Sequence, residues 1–469
     1  DVLQIPVIPC CSRDKKSMEQ IRQAAADSYE QLFSYDCLDF SPKALANQTV
    51  LGCSLSCRKS DDRIDRIVTG KITGKLIMIG LLLFIFWLTM SGANYPSRIL
   101  WNSLFQLEGK LADGMAFLHA PEWLTGCVVY GIYRVLAWVI SVMLPPMAIF
   151  FPLFTLLEDS GYLPRIAYNL DRPFQCCKAC GKQALTMAMG FGCNAAGITG
   201  CRIIDSPRER LIAMITNSFV PCNGRLPLFI TLILLFLSGN SHGLLSSAAS
   251  ALLLTLFILS GIAMTFITSY LLSATILKGV SSSFTLELPP YRKPQIGKVI
   301  FRSVTDRTLF VLGRAAAVAA PAGFLLWIMA NTAPGNISLL ARFSRFLDPL
   351  GRLMGMDGVI LTAFILGLPA NEIVLPIILM AYTAQGSLTN FESMGQLKEI
   401  LLLHGWTWKT AVCVLLFSLM HWPCSTTLIT LYKETKSKWW TFVSAFLPAF
   451  CGALCCIIFT VLTRLFQTF

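Results

Sequence analysis

Apolar residues gather into long runs at positions 76–89, 226–237, 248–272, 308–330, 359–382, 410–431 and 442–465, separated by polar or basic stretches. Several approach or exceed the roughly 20 residues that an α-helix needs to cross a bilayer. A further run, 125–157, carries Pro145-Pro146 and is expected to break there. The pattern predicts an all-α polytopic membrane protein with about eight transmembrane helices.

Two places spoil this pattern. "MGFGCNAAGITGCR" (189–202) and "FVPCNGRLP" (219–227) set glycine, proline, asparagine and cysteine where lipid-compatible helix would be expected. Breaking a helix frees backbone N–H and C=O groups, which lipid cannot satisfy, so such breaks persist only where protein or a polar cavity meets them. Each break joins a cysteine to an asparagine, Cys193-Asn194 and Cys222-Asn223. The second half repeats the arrangement. "GLPANEI" (367–373) holds Glu372, the only carboxylate of its run, and "HWPCSTT" (421–427) sets Cys424 after a proline, as Cys222 follows Pro221. A Gly-x-x-x-Asn break followed by a Pro-Cys break thus occurs twice, which suggests a duplication of about 150 residues per half, inverted or parallel.

Thiolate sulfur favours softer transition metals, and the oxygens of Glu372 and Asn194 extend the range to Fe2+ or Mn2+. Cys193, Cys222, Cys424, Glu372 and Asn194 are therefore the candidate metal ligands, with Met187 and Met189 as nearby sulfur atoms. A buried cysteine also packs as a small hydrophobe, and that is the alternative for any one of them. For Glu372 the alternative is to accept hydrogen bonds from freed backbone N–H groups. "CCKAC" (176–180) offers one Cys-x-x-Cys pair, Cys177 and Cys180, with no second pair beside it to complete a zinc site.

Composition agrees with a membrane location: 55% hydrophobic, 14% charged, mean hydropathy +0.63. The net charge of +12 sits mostly in segments that flank runs, such as 62–75, 165–210 and 291–307. We read it as cytoplasmic orientation and attraction to anionic lipid, not as a nucleic-acid footprint. "YKETKSKWW" (432–440) is basic but falls outside by simple alternation of eight spans. Either one segment is re-entrant or the loop is too short to matter. The 17 cysteines form no extracellular framework, so reduced thiols are expected. No cleavable signal peptide is expected, since the first 70 residues are polar.

The N-terminal stretch predicts a strand over 3–10 and a helix opening near Ser17, the last unit of an α/β domain. Its turn, Cys11-Ser12-Arg13, loosely resembles the guanine-contacting turn of GTP-binding domains. No GxxxxGK[ST] phosphate loop occurs in the sequence, so no catalytic residue is assigned.

Together with "LLEDSGYLPRIAYNLDR" (156–172), "GLPANEIVLPIILM" (367–380), "WPCSTTLITLYKET" (422–435) and "DRIDRIVTGKITG" (62–74), the two broken stretches resemble the membrane part of the FeoB-type ferrous iron transporters. The resemblance covers roughly residues 60–469. It implies two Gate regions, with Cys193 and Cys222 in the first, Cys424 and Pro369-Ala370-Asn371-Glu372 in the second. The layout it suggests is 1–25 as the end of a G domain, 26–70 as a connector, 71–280 as the first membrane half and 281–469 as the second. It further implies Fe2+ uptake across the bacterial cytoplasmic membrane, coupled to or regulated by GTP and Mg2+ chemistry in a G domain, and a small cytosolic FeoA-type partner. Homo-oligomerisation stays open. Two other readings compete: a Gate-type transporter of another divalent metal or a nucleoside, and a membrane thiol enzyme using Cys177 and Cys180.

Overall fold

The computed structural model describes residues 63–465, apart from 71, 179, 238–243, 280–290, 292–294, 334–336, 385 and 389–393, together with Glu19, Arg22 and Gln23. The chain divides into two units, 1–63 and 64–469. In the first, Glu19, Arg22 and Gln23 are helical, while the expected strand and the Cys11-Ser12-Arg13 turn lie outside the described residues.

In the second unit every regular element among the described residues is helical. A short helix over 63–68 leads to α1 (Thr73–Phe117), whose 45 residues reach about 68 Å, well beyond a hydrocarbon core of about 30 Å. Next come α2 (Glu122–Ser160), α3 (Leu163–Cys176), α4 (Lys182–Gly192), α5 (Asn194–Gly200), α6 (Pro207–Thr216), α7 (Leu226–Leu232) and α8 (Leu244–Ala274). The second half contains α9 (Ile296–Asn331), α10 (Leu339–Leu353), α11 (Gly358–Leu366), α12 (Val374–Thr383), α13 (Met394–Leu403), α14 (Trp408–Met420), α15 (Ser425–Thr435) and α16 (Lys438–Leu465).

Seven helical stretches among the described residues are long and apolar enough to cross a membrane, or eight if α10 and α11, bent by 111°, count as one. Two sequence expectations need correction. α2 does not break at Pro145-Pro146. Both prolines and Pro152 are buried inside a continuous helix; proline is tolerated in membrane helices where surrounding protein can meet the freed backbone groups. The run 359–382 is also not one interrupted span, because α11 and α12 have only 9 and 10 residues.

Those short helices form a re-entrant hairpin instead. Its two ends meet where the Tyr382 hydroxyl donates to Asp357 Oδ2 at 2.5 Å. α4 and α5 form a matching hairpin, closed at its mouth by Lys182 Nζ and Asp205 Oδ2 at 2.5 Å. The backbones agree at the tips: Cys193 has φ −154°, ψ 123° and Ala370 has φ −153°, ψ 126°. Each tip is followed by an asparagine, Asn194 or Asn371.

The hairpins open at opposite ends of the bundle. Near the start of α2, Arg134 Nη1 donates to Ser387 Oγ at 2.7 Å and Leu388 O at 3.2 Å, just beyond the second hairpin. At the other end, Arg202 beyond the first hairpin pairs with Glu434 at the end of α15, 2.6 Å. The two halves are thus inverted repeats. The Arg202–Glu434 contact also places 432–440 at the same end as the basic stretch 165–210, which resolves the charge mismatch by making α11–α12 re-entrant.

Candidate functional site

All five nominated residues line one narrow cavity of about 40 Å3. Cys193 and Asn194 come from the tip of the first hairpin, Cys222 from the break between α6 and α7, Glu372 from the tip of the second hairpin and Cys424 from the break between α14 and α15. α2 supplies an apolar wall through Pro146, Phe150 and Phe151.

Local geometry explains these placements. Cys193 and Cys424 each sit at the N-cap of a new helix, and Cys222 and Ala370 at the N-cap of a short 3-10 turn leading into α7 and α12. Four helical or 3-10 N-termini consequently begin at the lining of the cavity. The partial positive charge of a helix N-terminus opposes a bare cation, so cation binding there depends on the anionic ligands. Gly192 lets the first tip approach α2, since a Cβ there would overlap the Phe150 ring. A Cβ on Gly224 would overlap Glu372 Oε1. Glycine there lets the carboxylate of one repeat lie against the broken backbone of the other.

Asn194 is strongly tied to its surroundings. Its amide nitrogen, facing carbonyls, donates to Gly190 O at 3.0 Å and Val220 O at 3.3 Å, and its own carbonyl accepts from Asn217 Nδ2 at 3.0 Å. Only its Oδ1 is left to meet an ion. Cys424 Sγ lies 3.1 Å from Thr427 Oγ1. Arg225, 1% exposed, donates to Ser218 O and Leu419 O at 3.0 and 2.8 Å. It thereby joins the chain before the Cys222 break to a last-turn carbonyl of α14, where cationic groups are favoured.

Three or more His, Cys, Asp or Glu side chains do not gather closely enough anywhere among the described residues to hold a metal together. The candidate ligands line one cavity without forming a closed cage. Met187 and Met189 are absent from its lining: Met187 is buried in a cluster with Phe174 and Phe191, and a Cβ on Gly200 would meet the Met189 sulfur. Met143 and Met147 of α2 provide the thioethers instead. Their i, i+4 spacing is present in the sequence, but the apolar, proline-rich stretch around them gives no sign of which face meets a cavity. Of the Cys-x-x-Cys pair, Cys177 is half-buried and Cys180 buried, and neither lines this cavity.

Comparison with known proteins agrees with this architecture. A Gate family model, described as nucleoside recognition, matches residues 140–236 and 312–438. The model for the ferrous iron transport protein B C terminus matches 254–306. The Fe(2+) transporter FeoB of Staphylococcus aureus (strain MSSA476) is 28% identical over 419 residues, covering 86% of this chain and 59% of the relative. FeoB of Methanocaldococcus jannaschii is 26% identical over 393 residues, covering 81% and 55%. FeoB of Salmonella typhimurium (strain LT2) is 28% identical over 333 residues, covering 69% and 42%. The chain therefore spans 59% or less of the length of these relatives. No solved structure matches it. With two Gate matches falling on the two inverted repeats and the ferrous-iron-transport match between them, the chain is similar to the membrane portion of the FeoB-type ferrous iron transporters.

Proposed function

We propose that this chain conducts Fe2+ across the bacterial cytoplasmic membrane through the cavity between its inverted repeats. Cys193, Cys222, Cys424 and Glu372 are the ligands in this reading, and Asn194 adds an amide oxygen. The observation that carries it is the convergence of these five residues, drawn from four separate helix breaks, on one passage. Sulfur and carboxylate together suit a borderline divalent metal better than Mg2+ or Ca2+, which take oxygen ligands only. Because the ligands do not form a closed set, the ion is held by a few at a time and passed on, as transport requires.

No residue of this chain is assigned a catalytic role. GTP hydrolysis with Mg2+ would take place in a G domain and drive or regulate opening, and a FeoA-type cytosolic protein is the partner that the family relationship suggests. A nucleoside cargo fits poorly, because a cavity of about 40 Å3 is far below the roughly 300 Å3 or more of ordinary small-molecule sites.

The test is thiol protection. In the full-length protein, kept anaerobic, Fe2+ is expected to slow maleimide modification of Cys222 and Cys424, while Mg2+ at the same concentration does not. Equal modification rates with and without Fe2+ would remove the thiols from the path.

A further inference from the structure

Asn194 and Asn371 occupy matching positions in the two hairpins but use their amides differently. Asn194 binds backbone carbonyls. Asn371 instead points its Nδ2 at Cys222 Sγ, 3.9 Å away, across the boundary between the repeats. Its Oδ1 lies 3.2 Å from His421 Nε2, and His421 Nδ1 lies 2.8 Å from Ser418 O. The peptide carrying His421 is fixed in turn, because Arg225 Nη2 reaches His421 O and Trp422 O, both at 3.4 Å. Cys222, Asn371, His421 and Arg225 are all buried, with exposures of 9, 6, 1 and 1%.

A cysteine has one side-chain torsion with three staggered wells, so an unassisted sulfur has three directions to choose from. A buried amide must find partners, and this one finds a sulfur on one side and an imidazole on the other. With a neutral imidazole carrying its proton on Nδ1, the amide turns its nitrogen to Nε2 and its oxygen to the thiol; in either orientation the same groups remain in line. Neither Asn371 nor His421 is needed as a ligand for this purpose.

We propose that Asn371, braced by His421, is the positioning residue that aims the Cys222 sulfur into the ion path. This deepens the reading above and rests on Cys222 being a ligand. Groups that orient a ligand typically change metal affinity by about 10–100-fold when removed.

The test uses Co2+ as probe in the full-length, detergent-solubilised protein under anaerobic conditions. Affinity and sulfur-to-cobalt absorption are read for the parent, Asn371→Ala, Cys222→Ser and the double variant. Asn371→Ala is expected to weaken Co2+ binding by about 10–100-fold in the parent and to have no further effect once Cys222 is serine. An equal loss in both backgrounds, or no loss in either, overturns the positioning role while Cys222 remains a ligand. Parental affinity and absorption in Cys222→Ser would instead remove Cys222 from the path, and the inference with it. If Asn371→Ala fails to fold, His421→Gln goes through the same cycle with the same expectations.

Discussion

Gly224 shows how one side chain, or the lack of one, governs the cavity. The Glu372 carboxylate rests against it, so Gly224→Ala must push that carboxylate aside. The expected result is a loss of Fe2+ uptake comparable to Glu372→Gln, about 10-fold or more if the lost contact is worth one charge-assisted ligand, with the protein still folded by thermal melt. Parental uptake in Gly224→Ala would show that the position of Glu372 does not matter. The candidate cysteines were legible in the sequence because glycine and proline beside them contradict the surrounding helix. The opposition of Gly224 to Glu372, and of Asn371 to Cys222, was not, because each pair joins residues almost 150 positions apart.

The two hairpins share a backbone plan and differ in how their mouths are closed. The Tyr382 hydroxyl donates to Asp357 Oδ2 and accepts from Trp406 Nε1 at 2.9 Å. Tyr382→Phe leaves two partly or fully buried groups without that partner and should cost about 1–3 kcal/mol, read as a lower thermal midpoint. Asp205→Ala at the other mouth should change the midpoint little, since Asp205 is 87% exposed and surface ion pairs contribute little. Equal effects would contradict the burial argument. The breaks were readable in the sequence, but the hairpins were not. Whether a broken apolar run crosses or returns is decided by contacts between its ends, and neither Lys182–Asp205 nor Asp357–Tyr382 follows from periodicity. Pro145-Pro146 misled in the opposite direction, because burial supports α2 where proline weakens it.

A second element-scale device holds the helix over 63–68. Arg165 Nε and Nη2 donate to Asp65 at 3.0 and 3.2 Å, and the Tyr291 hydroxyl donates to Asp65 Oδ1 at 2.8 Å. Burial raises the Asp65 carboxyl, but the hydrogen bonds and charge of Arg165 and the Tyr291 hydroxyl outweigh it and hold the group below the usual carboxylate range. Burial and Asp65 push the Tyr291 phenol up to about 12. A depressed acid stabilises above its unfolded pKa and loses that contribution as pH falls through its folded value; a raised phenol loses its contribution as pH climbs past about 10. Hydrogen-exchange protection of 63–68 should thus be flat from about pH 5 to 9 and fall below about pH 4. A midpoint near neutral pH would mean that another group controls this contact.

Across the membrane unit, inverted repeats place equivalent breaks around one cavity. The repeat was visible in the sequence as two Gly-x-x-x-Asn and two Pro-Cys breaks, but its inversion needed the Arg134 and Arg202 contacts at opposite ends. The matched tips, Asn194 and Asn371, are separated along the chain by α8 and α9 among other elements. The most direct measurement of the account is anaerobic 55Fe2+ uptake by proteoliposomes of the full-length protein, comparing the parent with Cys193→Ser, Cys222→Ser and Cys424→Ser at matched protein amounts. The account predicts that each variant loses most of its uptake. Parental rates in all three would mean that these thiols only pack, and that no ion passes on sulfur through this cavity.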